Sequence, residues 1–142
     1  MDMEAEILVP EQIAVMTLPN VAFFPQALLP LHIFEPRYRL MLKDALATHR
    51  LFAVGGLDPD GEPEAFEPLH RVATLGIVRA CQENENGTSN LLLQGLARIE
   101  VVKTLQEVPY RRIQIRTLAS EPGADLAVNQ QLRTRIDRLL KL

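Results

Sequence analysis

Cysteine, tryptophan, lysine and serine are nearly missing from this chain, and each shortage removes a class of function. Cys81 is the only cysteine, so neither an internal disulfide nor a cysteine-based zinc cage can form. The three histidines, His32, His49 and His70, lie far apart and none shows the i, i+4 spacing of a helical metal site. No metal is expected. The lysines are Lys43, Lys103 and Lys141, and none follows a glycine. A phosphate-cradling Gly-Lys-Ser/Thr loop is therefore absent, as is any Gly-x-Gly-x-x-Gly, which argues against nucleotide hydrolysis and a bound cofactor. Ser89 and Ser120 are the only serines and neither stands in a Gly-x-Ser-x-Gly elbow. No apolar run approaches 18 residues and no basic-then-apolar leader opens the chain, so a cytoplasmic protein without membrane contact is expected.

What is present is a chain of 142 residues that is 47% hydrophobic, enough for one domain with a real core. The formal net charge is −3. Acids alone occupy 1–36 and 55–70, and bases prevail in 37–54 and after 71. That balance argues against a nucleic-acid binder, which gathers base on one face. The acids of 58–67, and Glu83 with Glu85, read as solvated loops, because nothing signals the burial that would raise a carboxylate pKa. Cys81, paired with His70 or His32, is a weaker candidate nucleophile than a small core or edge residue.

Along the chain, Ala14–Leu18 reads as a short strand, and Val21–Phe24 is a second apolar run closed by Pro25. Leu28–Phe34 is a third, where Pro30 suits an edge. The period then changes: Tyr38, Met41, Leu42, Ala45 and Leu46 fall on one face of a helix from Pro36 to about Thr48. Leu51–Val54 is a buried strand stopped by Gly55-Gly56, and 57–70 an exposed loop. Val72–Cys81 is a strand with a bulge at Gly76, followed by a tight turn at Asn86-Gly87. Leu91–Gln94, Ala97–Leu105 and Arg111–Leu118 are further strands. Leu132, Ile136, Leu139 and Leu140 mark a C-terminal amphipathic helix, a surface for self-association. The order implies a mainly β (α+β) fold, a β-barrel with one inserted helix and a helical appendage. The divisions are an acidic segment over 1–13, the barrel over 14–120, and the helix over 121–142.

One stretch crowds polar groups together: His32-Ile33-Phe34-Glu35-Pro36-Arg37-Tyr38-Arg39. Its structural reading is a strand-to-helix corner, with Glu35 capping the helix N-terminus and pairing with Arg37. Its functional reading is an exposed Arg37/Tyr38 patch meeting a partner.

The segment LPNVAFFPQALLPLHIFEPRYRLMLKDAL (18–46) closely resembles the start of the Lon N-terminal, or substrate-binding, domain. LLLQGLARIEVV (91–102) and VPYRRIQIRTL (108–118) match that family's Gly-x-x-Arg and Pro-Tyr strands, in order, across roughly 13–120. Mild departures are Ala73-Thr74, where Gly-Thr is common, and Arg98-Ile99 in place of Arg-Phe. The resemblance implies a PUA-like barrel without catalytic residues that binds unfolded or degradation-prone polypeptide segments, or a protease or ATPase partner. The ATPase and Ser–Lys peptidase modules of Lon could not fit in this length. Glu35, Arg37, Tyr38, Gly95 and Arg98 match the motif as fold-defining positions, and with Arg112 they are the candidate interaction residues. The alternative is an RNA- or nucleotide-binding module using Arg98, Arg111, Arg112 and Arg116, since PUA-like barrels often bind RNA.

Overall fold

The computed structural model describes residues 10–19, 22–58, 60 and 68–118. The element order is β1 (Gln12–Leu18), β2 (Leu28–Ile33), α1 (Pro36–Ala47), β3 (Leu51–Gly56), β4 (Val72–Glu83), β5 (Ser89–Gln106) and β6 (Arg112–Thr117). The expected C-terminal helix and most of the acidic N-terminal segment lie outside the described residues.

The strands pair in the order β2-β5-β4-β3-β1-β6, and a further β5–β6 pairing brings the far edge back to β5. β5 does this by serving two partners on one side. Its first residues pair with β2 (Leu28↔Gln94 to Ile33↔Ser89), and its last pair with β6 (Ile99↔Thr117 to Gln106↔Arg112). The result is an irregular ring rather than a clean barrel: β2 hangs outside it and the β5–β6 register shifts twice. β1 and β3 run parallel, in register from Val15↔Ala53 to Leu18↔Gly56, with β2 and α1 as their crossover.

Parallel strands covered on both faces read as unbroken apolar runs, and β1 and β3 do so here. Ile13, Val15, Leu51 and Ala53 point into the ring with Leu75, Ile99 and Ile113. Ala14, Met16, Phe52 and Val54 point outward, under Tyr38, Met41, Leu42 and Ala45 of α1. The helix buries the face its periodicity predicted.

One local expectation needs correction. Gly95-Leu96 does not separate two strands. β5 runs straight through, because the register shift at Leu75/Gly76 sets Gly76 opposite Gly95 and absorbs the irregularity. β1 is flanked by β3 and β6, and β6 by β1 and β5, whereas β2, which carries Pro30, ends the strand order. The Asn86-Gly87 turn is as expected, with Gly87 at φ +87° and its N–H donated to Asn84 O.

Candidate functional site

The corner at 32–39 turns the chain from β2 into α1. Glu35 makes no side-chain cap, contrary to expectation; its backbone carbonyl instead accepts the N–H groups of Tyr38 and Arg39. Its carboxylate pairs with Arg37 Nε at 3.3 Å, and the Arg37 guanidinium sits 4.4 Å from the centre of the Tyr38 ring. Tyr38 is not part of an exposed patch. It is 3% exposed, and its hydroxyl accepts the buried Thr17 N–H at 3.2 Å, tying α1 to β1. The amphipathic ring alone could not reveal this, since a tyrosine on an apolar helix face serves core and interface equally well.

Arg112 stands elsewhere, beside Tyr110 and His49. The buried Tyr110 donates its hydroxyl to Asp44 Oδ2 at 2.7 Å, bolting the β5–β6 connection to α1. Burial raises the Tyr110 pKa, with the neighbouring Asp44 adding to it and Arg112 opposing it. His49 is pushed below its ordinary value by burial and then by the Arg112 charge. This fits its geometry, because its Nδ1 accepts the Leu51 N–H at 3.0 Å and must be unprotonated to do so.

Arg98 belongs to a third place, a groove of about 510 Å³ at the end of the ring's outer face that lies beyond α1, and Gly95 supports one of its walls. Its floor follows the sheet register: Val54 pairs with Thr74, and Thr74 with Arg98, so the three stand in one row across β3, β4 and β5. One wall is the strap Phe23-Phe24. The Thr74 hydroxyl holds the strap by donating to Phe23 O at 2.8 Å. Gly95 holds it from the other side, its N–H donated to Ala27 O at 2.9 Å and its carbonyl accepting Gln26 N–H at 2.8 Å. A Cβ on Gly95 would collide with the Phe24 carbonyl, so only glycine admits this approach. Phe23 turns inward to the core, whereas Phe24 is 62% exposed and Val72, on the groove, is 37% exposed. His70, Arg71 and Arg98 complete the lining, and among the described residues no carboxylate takes part in it.

A family model described as the ATP-dependent protease La (LON) substrate-binding domain matches residues 12–142. This chain belongs to that family. Among relatives of the LON domain, it is 29% identical over 134 residues to Lon protease 1 of Herpetosiphon aurantiacus, covering 92% of this chain and 16% of that protein. It is 30% identical over 131 residues to the Lon protease of Nitrosococcus oceani, covering 89% of this chain and 17% of that protein. The chain thus spans only a small part of the curated relatives it matches. Two solved structures share the fold. The Lon N-terminal domain protein from Xanthomonas campestris superposes with a TM-score of 0.61 at 20% identity, over 81% of this chain and 68% of that one. The N-terminal domain of the Mycobacterium avium complex Lon protease gives 0.59 at 11% identity, over 92% and 75%.

Of the six residues singled out in the sequence, the LON fold brings Arg98 to the groove lining, sets Gly95 behind the strap that walls it, and leaves Glu35, Arg37, Tyr38 and Arg112 away from the lining. Sequence reasoning missed Phe23, Phe24, Val72 and Thr74. The one available signal was the Phe-Phe doublet before Pro25, an apolar pair too short to form a strand of its own. Among the described residues no group of histidine, cysteine, aspartate or glutamate could hold a metal, and no helix is long and apolar enough to cross a membrane.

Proposed function

We propose that this domain is a non-catalytic binder of unfolded or degradation-prone polypeptide segments, which it holds by their apolar side chains in the Phe24 groove. The observation that carries the reading is the continuity of the outer core with the surface there. Under α1 the outer face is sealed, and past Phe23 nothing among the described residues covers the same face, where Phe24 and Val72 are exposed. Exposed apolar surface with a polar rim is the common form of a protein-interaction site. Side-chain capture is favoured over strand addition. β2 does present an unpaired edge, but Pro30 in its middle blunts it. Nothing favours the RNA reading, because the arginines do not gather into a strip: Arg111 pairs with Glu107 and Arg116 with Glu100, while Arg112 lies by Tyr110.

The test is an NMR titration of the chain with reduced, carboxymethylated α-lactalbumin, an unfolded polypeptide. Amide shifts are expected at Phe24, Gly56, Val72, Thr74 and Arg98, and Val72→Asp should weaken them several-fold by placing a charge in the apolar floor. Shift changes confined to other surfaces would sink the reading.

A further inference from the structure

We infer that the groove selects segments in which a large apolar side chain lies next to a carboxylate, and that Arg98 reads the carboxylate. This rests on the polypeptide-binding reading above and adds the class of segment that binds. The cations of the lining are not equivalent. Arg71 is already engaged, its Nε 3.1 Å from Glu100 Oε2, and Glu100 also holds Arg116 Nη1 at 3.4 Å. His70 stands with Nδ1 4.0 Å from Asp58 Oδ1. Among the described residues Arg98 has no ion pair or side-chain hydrogen bond, although it is in register with Thr74 on the groove floor.

The one floor hydroxyl is likewise committed, since Thr74 donates to Phe23 O. A bound segment therefore meets apolar surface and a single unengaged guanidinium. A guanidinium matches a carboxylate with two parallel hydrogen bonds, and an apolar border strengthens them by excluding water. The spacing suits adjacent or next-but-one positions in an extended segment. Gly95, behind the Phe24 strap, and Arg98 face Gly76 and Thr74, two residues apart on β4 and roughly 7 Å at strand rise, because the irregularity at Leu96 shortens this part of β5. A phosphate backbone would need several unengaged cations in a row, and the neighbouring arginines are paired with acids.

The experiment measures fluorescence anisotropy of labelled Ser-Gly-Leu-Phe-X-Gly-Ser, with X either Asp or Asn, at low salt. The wild-type chain should bind the Asp peptide about tenfold more tightly, the size of one charge-assisted contact. Arg98→Gln should erase that preference, so that the two peptides bind it equally, and an unchanged urea-unfolding midpoint reports that the variant is folded. Equal binding of the two peptides by the wild type, or a preference that survives Arg98→Gln, would overturn the carboxylate assignment and leave polypeptide binding standing. Binding of neither peptide would overturn both. A labelled uridine oligonucleotide that bound more tightly than either peptide and lost affinity in Arg98→Gln would overturn the assignment in favour of phosphate.

Discussion

β1 and β3 each contribute to two cores, and the two are built differently. Inside the ring the buried cluster is aliphatic throughout, from Ile13 and Val15 to Leu75, Ile99 and Ile113. Outside, Phe23, Phe52, Tyr38 and Tyr110 mix with aliphatic side chains. There, hydroxyls are aimed at particular partners: Tyr38 at Thr17, Tyr110 at Asp44 and Thr74 at Phe23. The ring interior is closed by strand pairing and needs only to be filled. The outer face has no partner sheet, so a helix and a strap must cover it, and each is fixed by a polar tie as well as by packing. Where the cover ends, the groove begins. A core that is tied down piece by piece can stop partway and leave a binding surface; a closed ring cannot.

The two cores should respond differently to truncation. The largest loss is expected inside the ring. Leu75 is fully buried among branched aliphatic neighbours, and Leu75→Ala should cost about 2–5 kcal/mol in urea unfolding through lost transfer energy and the cavity left behind. A loss below about 1 kcal/mol would mean that the ring collapses around the gap, contrary to its closure by strand pairing.

A smaller loss is expected where the outer core depends on a tie. Tyr38→Phe keeps the ring packed and removes the hydroxyl, leaving the buried Thr17 N–H without that acceptor. Urea unfolding should show a loss of about 1–3 kcal/mol, the cost of an unsatisfied buried donor. If the variant is as stable as the wild type, the tie contributes nothing and packing alone seats α1.

How much of this was legible in the sequence follows the same division. β1, β3 and α1 were readable because burial on two faces gives an unbroken apolar run and burial on one helical face gives a 3.6-residue period. The bulge at Gly76 is readable too, but the matching irregularity at Gly95 is not distinguishable from a strand break, because a glycine in an apolar run looks the same in both cases. The LON-type fold was legible from its motifs. The groove was not, since it joins a strap at 23–24 to strands at 54, 72–74 and 98, and no local pattern encodes that meeting. Polar ties are hidden for the same reason: a tyrosine at position 38 gives no sign that its partner is the amide of residue 17.

The smallest change in stability should come with the largest change in binding, at Phe24. Its side chain is mostly in water, and the strap is held by backbone and neighbouring groups. Phe23 O accepts from Thr74, Ala27 N–H is donated to Phe24 O, and Gly95 pairs with Gln26 and Ala27. None of these contacts uses the Phe24 ring. Phe24→Ala should therefore leave urea unfolding within about 0.5 kcal/mol of wild type, as surface changes usually do. If the groove wall captures apolar side chains, the same variant should bind the Leu-Phe peptides about tenfold more weakly, the loss expected of an aromatic anchor. A variant that lost stability but kept its affinity would reverse the assignment, making Phe24 a structural cover and moving the binding surface elsewhere. The pair of measurements separates the sealed part of the outer core from the part left open, because Leu75→Ala and Phe24→Ala should move stability and affinity in opposite proportions.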